Sequence, residues 1–125
     1  MSSELSLHPI KAILFDLDGT LVHSALDFRQ IRKDIGCPEG HDVLSYLDIL
    51  STEEKLNAEE IIRRHELDDA HSAQVIQGAS CLLERLEARG LKTAIVTRNS
   101  YEATQIKIEK CGIKVPYVLT LSLIH

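Results

Sequence analysis

Cysteine is scarce: Cys37, Cys81 and Cys111 are the only ones, odd in number, far apart and in no CxxC arrangement. That excludes a disulfide framework and gives no support to a zinc site. They read as reduced thiols of a cytoplasmic protein, with Cys81 expected in the core. Positive charge is also short, with 14 Lys and Arg against 19 Asp and Glu and a net charge of -5. The cations lie scattered among acids, so nucleic acid is not an expected partner. No apolar run approaches membrane-spanning length, and the opening MSSELSLHPI lacks the basic start and apolar centre of a signal peptide. Neither a membrane anchor nor export is expected, and no internal repeat or low-complexity stretch stands out.

What is present is a chain of 125 residues, 44% hydrophobic and 26% charged, enough for one modest core and too apolar to stay disordered. The run KAILFD (residues 11–16) is apolar without alternation, as in a strand buried on both faces of a parallel sheet. LKTAIVT (91–97) is a second such run. Before it, Ala79, Leu82, Leu83 and Leu86 fall at helical spacing, and Gly90 acts as a stop. After it, RNSYEATQIKIEKCG predicts a helix with Asn99 as N-cap, Glu102 three residues on, Ile106 and Lys110 at helical spacing, and Gly112 at the end. VPYVLTLSLI (115–124) reads as a third strand. Helices alternating with parallel strands make an α/β unit.

Between the first strand and Gly78 no strand is expected. Helices are predicted over 27–35, 42–50 and about 52–73, the last broken near Asp68 and Asp69. STEE supplies a capping box from Ser51 to Glu54, and GCPEG is turn chemistry. The expected organisation is an α/β core over 1–22 and 78–125, interrupted by a small helical cap over 23–77.

The stretch FDLDGTLVHS puts Asp16 and Asp18 two residues apart at the carboxyl end of the first strand, and Thr97 ends the second. Ligands of open α/β sheets bind at such ends. Gly19 begins a turn that lets both carboxylates point toward one site. Two like charges there repel unless a cation or a shared proton intervenes, and Mg²⁺, which prefers oxygen ligands and keeps waters and phosphate in its shell, is the natural cation.

DLDGT resembles the first motif of the haloacid dehalogenase (HAD) superfamily, and IVTRN resembles its second, in which a Ser or Thr ends the next strand. The resemblance runs from about residue 10 to 120 and is to phosphoglycolate-phosphatase-like members with a C1-type helical cap. It implies a HAD-like (Rossmann-like) parallel sheet and a Mg²⁺-dependent phosphatase acting on a small phosphorylated metabolite. Asp16 would be the nucleophile that becomes an aspartyl-phosphate. Asp18 would protonate the leaving oxygen and later deprotonate water, and its presence favours a phosphatase over a dehalogenase. Gly19 permits the turn, and Thr20 hydrogen-bonds within it. Thr97 would hold a phosphoryl oxygen with the backbone N–H groups of Arg98 and Asn99, Arg98 acting through its backbone more than its side chain. Mg²⁺ would take the Asp16 carboxylate and the Asp18 carbonyl.

Two parts of that family pattern find no counterpart: a Lys that steadies nucleophile and phosphate, and an acidic cluster after a fourth strand. Lys107, Lys110 and Lys114, in or just after the preceding helix, read as no match. The pattern breaks off near Thr120, so the chain is expected to be C-terminally truncated, keeping three strands with the first as an apolar edge open to self-association. The competing expectation is a catalytically silent fragment that binds phosphate or a partner chain through that edge. Glu53–Glu54, Glu59–Glu60, Asp68, Asp69, His65 and His71 read as solvated helical or cap surface. His23 and Ser24 either face substrate or act as linker.

Overall fold

The computed structural model describes residues 10–24 and 26–121. Its centre is a parallel sheet of β1 (Ala12–Phe15), β4 (Lys92–Thr97) and β5 (Tyr117–Thr120), in the order β1-β4-β5. The register sets Phe15 opposite Ile95 and Ile95 opposite Val118. Alternation along β4 buries Thr93, Ile95 and Thr97. On the Ile95 face Leu17, Leu21, Val22, Ala79, Leu83 and Ile113 close a core, against which Phe15, Val118 and Ile108 pack. Ala79 and Leu83 come from α4 (Ala79–Ala88), and Ile108 from α5 (Tyr101–Cys111).

The other face is open, and here the expectation for the first strand fails. Leu14 is 70% exposed, and on the same face Tyr117, across Ala94 from it, and Leu119, paired with Val96, are 59% and 56% exposed. An unbroken apolar run records that a strand could be covered on both faces, whereas the covering itself depends on other parts of the fold. The third strand also ends sooner than expected, and residues 122–124 of that run lie outside the described residues.

A second correction concerns the stretch before Gly78. β2 (Val22–His23) and β3 (Gln74–Val75) pair antiparallel, Val22 with Val75 and His23 with Gln74. Strands of two residues are too short to carry a period. Between them lie α1 (Phe28–Ile35), α2 (Val43–Asp48) and α3 (Thr52–Ser72). Their own cluster joins Ile31, Val43, Leu47, Ala58 and Ile62. Asp27 and Asp42 cap α1 and α2, accepting from the backbone N–H groups of Gln30 and Ser45. Gly36 ends α1 in the left-handed region at φ 78°.

α3 runs unbroken for 21 residues through Asp68 and Asp69. Ser51 Oγ accepts from the Glu54 N–H at 3.2 Å and donates to its carboxylate at 2.9 Å, joining the two residues expected to form a capping box. The α5 cap is Ser100 rather than Asn99, its Oγ accepting from the Ala103 N–H at 3.2 Å. Cys81 is exposed, not in the core, because the buried stripe of α4 runs through Ala79 and Leu83 and misses it. Cys37 is buried. Among the described residues no helix is long and apolar enough to cross a membrane.

Candidate active site

β1 ends at Phe15, and the chain turns tightly over the carbonyl of Leu17. That oxygen accepts from the N–H groups of Thr20, Leu21 and Val22 at 3.4, 3.0 and 3.1 Å. Gly19, at φ 78°, donates to the Val22 carbonyl at 2.8 Å, a conformation that L side chains rarely adopt. The Leu17 side chain is fully buried and anchors the loop. Asp16 and Asp18 flank that anchor and meet different surroundings. Asp16 is exposed, and its Oδ1 accepts the Leu17 N–H at 2.8 Å.

Asp18 is half-buried and held on both oxygens. Oδ1 accepts from Ser24 Oγ at 2.6 Å and from Lys107 Nζ at 2.8 Å, while Oδ2 accepts from Asn99 Nδ2 at 2.9 Å. Burial works to raise its pKa. The hydrogen bonds from Lys107, Ser24 and Asn99, with the Lys107 charge, outweigh that and hold the carboxyl below its ordinary value. Ser24 is thereby brought to the site, whereas His23 is exposed on β2.

Thr97, buried at the end of β4, accepts on Oγ1 from the Asn99 N–H at 3.2 Å and from Asn99 Nδ2 at 2.8 Å. Two accepted bonds use its lone pairs and leave the hydroxyl proton to donate outward. The Asn99 N–H, expected to serve phosphate, is engaged by Thr97 instead. Arg98 is exposed.

Lys107 is the largest departure from the sequence reading, which gave it no part in the site. Its side chain has no exposed surface, and Nζ donates to Asp18 Oδ1 at 2.8 Å, Asp69 Oδ2 at 2.9 Å and Asn99 Oδ1 at 2.9 Å. An ammonium has three protons, and all three are engaged, so Lys107 positions Asp18 and has no donor left for a phosphate. Asp69, expected on a solvated face, is part of this cluster. A signal existed: Lys107 stands in the buried stripe of α5 with Ala103 and Thr104, where an ionised residue needs a partner. Glu66 sits likewise in the buried stripe of α3 with Ala58, Ile62 and Ala70, and its Oε2 accepts the Ser100 N–H at 2.9 Å. His65 lies on the surface of α3, 2.7 Å from Asp34 of α1.

Two cavities meet here. One, of about 370 Å³, is lined by Asp16, Asp18, Val96, Thr97, Arg98 and Leu121. The other, of about 400 Å³, opens toward α1, α2 and α3 and shares Asp18 and Arg98 with the first. As to a metal, no group of three or more His, Cys, Asp or Glu occurs among the described residues in a metal-holding arrangement. The donors that remain are the exposed Asp16 carboxylate and the Asp18 main-chain carbonyl, which accepts no backbone hydrogen bond among the described residues. Both are hard oxygens, a set that suits Mg²⁺ with waters completing its shell.

Residues 24–122 match the family model of the haloacid dehalogenase-like hydrolases. The chain belongs to this family. The matched span begins just after the Asp16–Thr20 loop and takes in Thr97, Asn99 and Lys107. A haloacid dehalogenase-like hydrolase domain-containing protein of Arabidopsis thaliana is 26% identical, over 78% of this chain and 44% of its own length. Among solved structures, a predicted phosphoglycolate phosphatase of Haemophilus somnus superposes with a TM-score of 0.64 at 23% identity, covering 90% of this chain and 63% of that one. A haloacid dehalogenase-like hydrolase of Streptococcus pneumoniae gives 0.62 at 25% identity, over 89% and 61%. A family hydrolase of Deinococcus radiodurans, solved with bound phosphate and sodium, gives 0.55 at 23% identity, over 90% and 58%. This HAD-like α/β chain thus spans less than two thirds of the length of these relatives.

Proposed function

We propose that this family member is a Mg²⁺-dependent phosphatase acting on a small phosphomonoester through an aspartyl-phosphate. The observation that carries the reading is that Asp18 and Arg98 line both cavities, while Asp16 and Thr97 line only the smaller. A phosphoryl group in the smaller cavity would meet the Asp16 carboxylate, the outward Thr97 hydroxyl and the Arg98 guanidinium. The rest of the substrate would occupy the larger one, under a cap formed by residues 23–77 on a core of 1–22 and 78–125.

Asp18 then stands at the junction, where the bond between phosphorus and the leaving oxygen is broken. Held as a carboxylate by Lys107, Ser24 and Asn99, it is in the form that deprotonates water in the second half-reaction. Its role as acid in the first half calls for a proton on Oδ2, which accepts one bond and keeps a lone pair, whereas Oδ1 accepts two. Mg²⁺, held by the Asp16 carboxylate and the Asp18 carbonyl, would offset phosphoryl charge.

The test is Mg²⁺-dependent phosphate release from an aryl phosphate by the folded chain. Turnover should fall at least about a thousandfold in Asp16→Asn, the scale on which loss of a covalent nucleophile acts, and should stop when the metal is chelated. Turnover unchanged in Asp16→Asn would reject the reading. A second reading, pairing with another chain across the sheet, is favoured by the exposure of Leu14, Tyr117 and Leu119.

A further inference from the structure

The larger cavity has a composition that selects among phosphomonoesters. Its walls carry Leu26, Phe28, Ile31, Val43 and Ile62 from α1, α2, α3 and the segment before α1. Of its charged groups, Asp18 is held on both carboxylate oxygens and Asp42 on Oδ2. Asp18 accepts from Lys107, Ser24 and Asn99, and Asp42 caps α2, accepting the Ser45 N–H at 3.1 Å and its Oγ at 3.2 Å.

The two arginines are not so engaged. Arg98 pairs with no side chain among the described residues. Among the described residues Arg32 donates only Nε, to the His41 carbonyl at 3.3 Å, a bond that steadies the guanidinium and leaves its other N–H groups available. The cavity therefore offers a ligand an apolar wall and a second cation, on a different element from the Arg98 side where phosphate would sit. A polyhydroxylated sugar would find few partners for its hydroxyls against five aliphatic and aromatic side chains, and each unpaired hydroxyl would oppose binding.

We infer that the substrate is a phosphomonoester with an apolar body that carries a second anionic group, a carboxylate or its equivalent, received by Arg32. This rests on the phosphatase reading above, to which it adds a substrate class. A volume of about 400 Å³ has room for a body of ring size.

The test is calorimetric binding of three phosphonates to the full chain in the presence of Mg²⁺: 4-(phosphonomethyl)benzoate, benzylphosphonate and phosphonoacetate. The first should bind about tenfold more tightly than the second, as one charge-assisted contact gives, and more tightly than the third, which lacks the apolar body. Arg32→Met should erase the difference between the first two and keep that between the first and third. Equal binding of the first two by the wild-type chain, their difference surviving in Arg32→Met, or phosphonoacetate binding as tightly as the first, each overturns the inference and leaves the phosphatase reading standing. No binding of any of the three by the folded chain overturns both.

Discussion

Lys107 shows what a single residue contributes here. Fully buried, it neutralises part of the charge of Asp18 and Asp69 and fixes the amide of Asn99, which in turn holds Thr97. Removing one partner from such a cluster leaves uncompensated charge in a poorly solvated place, at a cost of about 3 to 5 kcal/mol. Lys107→Met is therefore expected to lose that much stability at pH 7 in chemical denaturation. The pH dependence follows from the depressed pKa of Asp18. In the wild-type chain its ionised form stabilises the fold above the unfolded-state carboxylate pKa, and that contribution is lost as pH falls through the lower folded-state value. In Lys107→Met acid should relieve Asp18 of charge that Lys107 no longer counters, so the gap between the two proteins narrows toward acid pH. A gap that stays constant with pH would mean that Lys107 acts by packing alone. Asp16, Asp18 and Thr97 were legible in the sequence because each ends or follows an apolar run in a recognisable spacing. The α5 stripe marks Lys107 as needing a partner, but that Lys107 and the Asn99 side chain meet Asp18 was not legible, since they reach it across 89 and 81 positions, a closeness that only the docking of α5 creates.

At the scale of elements, the contact between α3 and α5 is polar along much of its length. Arg63 meets Glu102 at 2.9 Å, Glu66 takes the Ser100 N–H, Asp69 meets Lys107, and Lys110 donates to the His71 carbonyl. These contacts should differ sharply in worth. The Arg63–Glu102 pair is exposed and screened by solvent, and Arg63→Ala should cost the less of the two. Glu66 is only 4% exposed, and Glu66→Ala, which strips the N–H of the α5 N-cap Ser100 of its acceptor in a half-buried place, should cost about 1 to 3 kcal/mol. Thermal and urea unfolding of the two variants checks the order, and equal losses would contradict it. Helix positions were readable because Asp27, Asp42 and Ser51 announce starts, and Gly36 and Gly112 announce ends. The N-cap of α5 was misplaced by one residue because Asn99 and Ser100 both suit the position, and only the tertiary pull of Asp18, Thr97 and Lys107 on Asn99 decides between them.

At the scale of the whole molecule, the sheet has one face covered and one bare among the described residues. Parallel sheets are ordinarily covered on both, and the bare face presents Leu14 from β1 and Tyr117 and Leu119 from β5, the two edge strands. The chain is accordingly expected to self-associate through this surface, and Leu14→Lys with Leu119→Lys should shift sedimentation equilibrium toward monomer without lowering stability, because both residues are already exposed. An unchanged distribution would place any association elsewhere. The order of strands and helices was readable from apolar runs, whereas the open face was not, since exposure is a property of what packs against a strand rather than of the strand. The catalytic claim concerns the whole assembly of loop, strand end and helix, and it is tested most directly by looking for the covalent intermediate. The chain is incubated with Mg²⁺ and acetyl phosphate, quenched in acid and analysed by peptide mass spectrometry. The expected result is one phosphoryl group on Asp16, removed by hydroxylamine and absent from Asp16→Asn. A folded chain that stays unmodified, or that carries the phosphoryl group on another residue, would contradict the account.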